Sequence, residues 1–140
     1  MPLIQQQVLW KPPYDFWQDR YAIVWVSVPE FDAAWKHQEP RFYMPAGQYG
    51  HFGLWLKRSN NPRRRVKMPI VGYPEGGTLG FQDGRHRWAW CRDHGATALP
   101  VMVYLSDFDA VTRDFGTSER KTVLAITLKR KSPGEPGLMS

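Results

Sequence analysis

Residues 78–104, TLGFQDGRHRWAWCRDHGATALPVMVY, read as strand, turn, helix, turn and strand, and that order decides the fold class. Thr78-Leu79-Gly80-Phe81-Gln82 has strand character and runs into Asp83-Gly84, where a helical pattern opens with Arg85-His86-Arg87. At helical spacing Trp88, Ala89 and Cys91 face inward, while Arg85 and Arg92 share a more exposed side. Gly95 follows His94 as a natural C′ residue, and Leu99-Pro100-Val101-Met102-Val103-Tyr104 is the next strand. Backbone amides and the positive end of the helix dipole meet at the N-terminus of this helix, so residues 83–87 hold the ingredients of an anion site.

Each residue there has its own chemistry. Asp83 is placed to N-cap the helix by accepting hydrogen bonds from the amides of Arg85 or His86. Gly84 lets the backbone turn, or approach a ligand, without a Cβ. Arg85 and Arg87 offer forked donors matched to phosphate oxygens, and His86 can give a proton or a hydrogen bond near neutral pH. The plainer reading of the same residues is a capped turn with solvated basic side chains. The residues by themselves leave both readings open.

Upstream, residues 1–20 are rich in Pro, Gln and aromatic side chains, which predicts an irregular N-terminal arm. Residues 21–28, YAIVWVSV, read as a buried strand ended by Pro29. Glu30 to Lys36 suits a short helix with Pro29 in its first turn and Phe31, Ala34 and Trp35 on one face. An aromatic, Gly-rich loop spans Arg41 to Phe52, and a second short helix is expected over Phe52 to Arg58. Lys57, Arg58, Arg63, Arg64, Arg65 and Lys67 follow with no acid among them, around a turn at Asn60-Asn61-Pro62. Such a loop either contacts a nucleic-acid backbone, with Arg63, Arg64, Arg65 and Lys67 as the contacts, or is solvated.

Pro69 to Tyr73 and the strand before Asp83 form a predicted hairpin across Pro74-Glu75-Gly76-Gly77. Ser106 to Asp109 caps a helix reaching Phe115, Thr122 to Leu128 is a last strand suited to a sheet edge, and 129–140 is a disordered tail. The expected organisation is one α/β (α+β) domain over 21–128, a small mixed sheet flanked by short helices.

Composition narrows the partners. The 140 residues carry a net charge of +6 with a pI near 9.7, which favours anionic ligands such as nucleotides, nucleic acid or acidic proteins. Cys91 is the lone cysteine and excludes an intramolecular disulfide framework. His37, His51, His86 and His94 make no metal-binding spacing, so no metal site is read. No segment has the length and apolarity of a membrane span and no signal peptide is evident, so a cytoplasmic location is expected.

The strand ending in DGRHR, the short helix, the Gly and the Leu-Pro-Val-x-Val strand together resemble the ParB/sulfiredoxin-like superfamily. Val26-Ser27-Val28-Pro29-Glu30-Phe31 is similar to the first strand and turn of those domains. The resemblance implies a small α/β fold binding ATP or CTP, with or without Mg2+, through Asp83, Gly84, Arg85, His86 and Arg87. Members include CTP-binding partition proteins, sulfiredoxin and kinases of free serine, and some act as nucleases. Gly84, His86 and Arg87 match the Gly-x-His-Arg phosphate element. Arg85 stands where sulfiredoxin has its catalytic cysteine, which excludes that thiol chemistry. Arg85 and His86 also depart from the Gly-Glu-Arg-Arg of partition proteins, which puts CTP hydrolysis in question. The family likeness brings Glu30 toward the junction as a general base or magnesium contact, beside His86 as the second catalytic candidate. The expectation is a nucleotide-binding domain with NTPase or DNA-directed nuclease activity. The alternatives are a non-catalytic plasmid- or phage-type protein binding nucleic acid or a protein partner, and a serine kinase.

Overall fold

The computed structural model describes residues 3–47, 65–75 and 77–127. The fold is α+β: the described residues form two small mixed sheets with three short α-helices. Strand β1 (Leu3–Lys11) sits at the centre of one sheet, between β3 (Arg65–Lys67), parallel to it, and β7 (Thr122–Thr127), antiparallel. The other sheet runs in the order β2 (Tyr21–Ser27), β6 (Ala98–Tyr104), β4 (Ile70–Gly72), β5 (Gly80–Asp83). Three helices join these strands: α1 (Val28–Gln38), α2 (Arg85–Asp93) and α3 (Phe108–Phe115).

The predicted irregular arm is therefore wrong over residues 3–11. Val8 and Trp10 alternate inward along β1, a period-2 pattern that the surrounding glutamines and prolines obscure in the sequence. A second sheet results where only one was expected. The hairpin does form, as β4 and β5, and the last strand does lie at a sheet edge, as β7. The predicted helix over 52–58 and the tail over 129–140 lie outside the described residues.

β6 is the spine of the larger sheet, buried from Ala98 to Val103 because it has neighbours on both edges. Pro100 sits within it without breaking a ladder. Met102 donates its N–H to Pro69 at 2.9 Å, so Pro100, two residues earlier, faces the same edge. β4 pairs only with Met102 and Val103, so no partner there needs the N–H that proline lacks. Near the same end of β6, the buried Thr122 hydroxyl donates to Ala98 O at 2.8 Å and accepts from Trp10 Nε1 at 3.0 Å. One side chain thus bonds β6 of one sheet while holding β1 of the other.

Helix α1 lays Phe31 and Trp35 on this core, as the sequence pattern predicted. The Phe31 ring meets Trp88, Phe81 and Phe115 at centroid separations of 4.6, 5.6 and 5.2 Å, so strand β5 and all three helices share one aromatic cluster. Burying such rings contributes a few kcal/mol each, by area and by edge-to-face geometry.

Candidate functional site

Helix α2 begins where β5 ends, and Gly84 makes the junction with φ at +87°. A Cβ on Gly84 would lie 2.8 Å from Pro69 Cα, so glycine is required both by the left-handed backbone and by the close packing of Pro69, the residue before β4. Trp88 N–H bonds to Gly84 O at 3.0 Å and starts the helical ladder. The C-terminal end closes with Ala96 N–H on Cys91 O at 3.0 Å and Gly95 N–H on Arg92 O at 3.2 Å, a Schellman pattern with Gly95 at φ +90°.

The N-terminal end differs from expectation. Asp83 does not cap α2: Gly84 is the N-cap, with no side-chain hydrogen bond to the helix, and no acidic residue occupies the first turn. Asp83 turns instead to Arg87, with Oδ2 3.4 Å from Nη2. The Arg87 side chain is 16% exposed and lies back against Gly84 and Pro69, so it supplies positive charge from behind the turn rather than an open fork. Arg85 and His86 are exposed. The Arg85 guanidinium stands 5.9 Å from the ring centroid of half-exposed Phe42, and Arg41 flanks the same ring at 5.7 Å. Amides, a buried cation, an exposed cation and an aromatic face are therefore grouped at one corner.

Glu30 is exposed in the first turn of α1, and among the described residues it makes no hydrogen bond or ion pair. Val28 donates its N–H to Thr97 O at 2.9 Å, so α1 starts beside the chain leaving the C-terminal end of α2. The acid of α1 that bonds to α2 is Asp32, two residues further along the helix. Its Oδ1 accepts from Trp88 Nε1 at 2.9 Å and from Arg92 Nη1 at 3.0 Å, and its Oδ2 accepts from the Tyr43 hydroxyl. Arg92 also binds Asp93 at 2.9 Å, and Asp93 receives the Gly47 amide at 2.9 Å. Arg92 is thus largely buried, not on the open side expected from spacing, because these carboxylates neutralise it. Burial, then the Asp32 hydrogen bond, push the Tyr43 hydroxyl up to about 12. Nothing in the sequence marks Asp32 or Tyr43, since their pairing is tertiary. The network ties residues 43–47, which follow Phe42, to α2.

Of the basic run, Arg63 and Arg64 lie outside the described residues. Arg65 and Lys67 are exposed on strand β3, not on a loop, because parallel pairing with β1 draws them into the sheet. Lys11 and Lys67 are register partners, so Lys11, Arg65 and Lys67 share one solvent face.

Cys91 is buried, and desolvation pushes its thiol up to about 12 despite the opposing field of Arg87. His94 stacks on Trp90 with centroids 4.0 Å apart, a packing role. Among the described residues no three His, Cys, Asp or Glu side chains form a group able to hold a metal ion. No helix among them is long and apolar enough to cross a membrane.

No family model, no curated protein and no solved structure matches this chain.

Proposed function

We propose that the chain is a nucleotide-binding domain of the ParB/sulfiredoxin-like type, taking the phosphates of ATP or CTP at the Gly84–Arg87 corner. The observation that carries this reading is the uncapped N-terminus of α2 with no acid in its first turn. An anion there gains the helix dipole and the amides of Arg85 and His86, to which no side chain among the described residues bonds. Arg85 is the exposed cation that would close on the phosphates, and Arg87 adds charge from behind, oriented by Asp83. Phe42, next to Arg85, is suited to stack on a base. Magnesium would arrive with the nucleotide, and Asp83, adjacent to Gly84 in sequence and 55% exposed, is the carboxylate to receive it. His86 is the exposed side chain available for proton transfer. Glu30 is left without a part in this proposal.

The test is titration of ATP and CTP, with and without magnesium, into the wild type and Arg85→Glu. Saturable binding that weakens at least about tenfold in the variant supports the reading, the loss expected for a charge-assisted contact to phosphate. Equal responses from two natively folded proteins overturn it.

A second reading rests on the β1–β3 face. Lys11 opposite Lys67, with Arg65 beside them, sets like charges on neighbouring strands, a repulsion that a nucleic-acid backbone would relieve. Under this reading Lys67→Glu weakens binding of duplex DNA in a salt-dependent way while Arg85→Glu leaves it unchanged.

A further inference from the structure

The larger sheet ends on one side at β2, and the outer edge of that strand is only partly covered. Leu105 donates its N–H to Arg20 O at 3.1 Å, on the β6 side, and Thr117 donates to Trp25 O at 3.0 Å, on the other. Backbone groups alternate along a strand, so Ala22, Val24 and Val26 bond β6 while Tyr21, Ile23 and Trp25 face outward. Beyond Trp25 the outer edge is filled, because Gly116 bridges Val26. From Tyr21 to Trp25 it is open. Among the described residues, the N–H and C=O of Tyr21 and Ile23 and the N–H of Trp25 bond to no other group. This stretch also holds no charge, proline or bulge, the devices that keep a strand edge from pairing.

A groove of about 380 Å³ runs beside the open edge. Ile23 and Trp25 line it from the strand, Phe108 and Thr112 from α3, and Arg120 from the chain beyond. Phe108 is 39% exposed, an apolar wall that the fold leaves uncovered. Among the described residues no acid lines the groove, and Arg120 is its one charge. The Arg120 guanidinium donates to the carbonyls of Thr117 and Glu119 and, among the described residues, meets no carboxylate. Its charge is therefore held in place and left uncompensated. Open backbone groups, an apolar wall and a fixed cation all select the same kind of guest.

We propose that β2 is a docking edge for an extended acidic peptide of another protein. The peptide adds as a strand along Tyr21 to Trp25, lays an apolar side chain against Phe108 and brings a carboxylate to Arg120. Main-chain bonds supply affinity in this mode, and the groove supplies selection. A second copy of the chain is a poorer match, since it brings a net charge of +6 to a cation. The β2 edge lies across the sheet from β5 and Gly84, so the proposal stands whether or not a nucleotide binds there.

The experiment titrates two fluorescent octapeptides into the full chain, one alternating Val with Glu and the other Val with Lys. The Glu peptide is expected to saturate, and the Lys peptide to bind at least about tenfold more weakly. Arg120→Glu is expected to weaken the Glu peptide by about tenfold, while Lys36→Glu, an equal charge change on the exposed side of α1, leaves it unchanged. Strand pairing has its own readout. Ile23→Pro deletes an outward N–H without removing a bond to β6, and is expected to weaken the Glu peptide by at least about fivefold. N-methylation of alternate amides in the Glu peptide tests the same bonds with the protein unaltered, and in one register or the other it is expected to abolish saturation. The proposal is overturned if the Glu peptide does not saturate, if the Lys peptide binds as tightly, or if Arg120→Glu changes nothing. Binding that survives both Ile23→Pro and N-methylation also overturns it. So does a dimer in sedimentation that Ile23→Pro dissociates, which would make the edge an interface between copies.

Discussion

Asp32 and Arg92 meet at 3.0 Å with side chains 14% and 12% exposed, and through them α1 is locked to α2. Because Asp32 also receives Trp88 and Tyr43, removing it orphans three donors at once. Asp32→Ala is expected to cost about 3 kcal/mol, the scale of stranding three part-buried donors at once, with Arg92 keeping only Asp93 as a counter-charge. Urea denaturation of the variant checks this. A loss under about 1 kcal/mol means the pair is hydrated in solution, as exposed pairs are.

The same network predicts a response to alkali. Tyr43 titrates near 12 in the fold against an ordinary value of 10.0, so the folded state holds its proton more tightly than the unfolded chain. That stabilisation is complete below pH 10.0 and is lost as pH rises toward about 12. Thermal melts between these limits should fall more steeply for the wild type than for Tyr43→Phe. Parallel slopes contradict the assignment.

Thr122 makes a second test. Thr122→Val strands both the Trp10 indole N–H and the Ala98 carbonyl, at a cost of about 2 kcal/mol. Adding Trp10→Phe removes one stranded group, so the double variant should lose less than the sum of the singles. Strict additivity in a double-mutant cycle denies the coupling.

Gly84→Ala forces a Cβ to within 2.8 Å of Pro69 Cα at a positive φ. Destabilisation of about 2 kcal/mol is expected from the backbone alone, with more from the clash. Calorimetry on this variant separates it from Arg85→Glu, which should fold normally.

Cys91 should resist thiol reagents in the native protein, since burial holds it protonated up to about 12. Labelling kinetics with and without denaturant decide the matter; rapid native labelling would point to an open α2.

The α2 unit was legible because its signals are local: glycines at both ends and an apolar stripe between them. The strand–helix–strand order around it followed for the same reason. β1 was hidden because its partners, Arg65 to Lys67 and Thr122 to Thr127, lie far along the chain. Asp83 misled for a subtler reason. A carboxylate before a helix favours capping, but Arg87 one turn on competed for it and won. Asp107 repeats the pattern, drawn from α3 by the Tyr73 amide, a contact no spacing rule anticipates.

The β1–β7 pairing joins residues far apart in sequence, with Val8 beside Thr122. During vectorial synthesis β1 can meet β3 first, but its edge from Leu3 to Val8 has no β7 partner until Thr122 to Thr127 leave the ribosome. Closure of that small sheet is then a late, high-contact-order event, and ribosome-bound chains stalled before Thr122 should stay vulnerable to protease at their beginning.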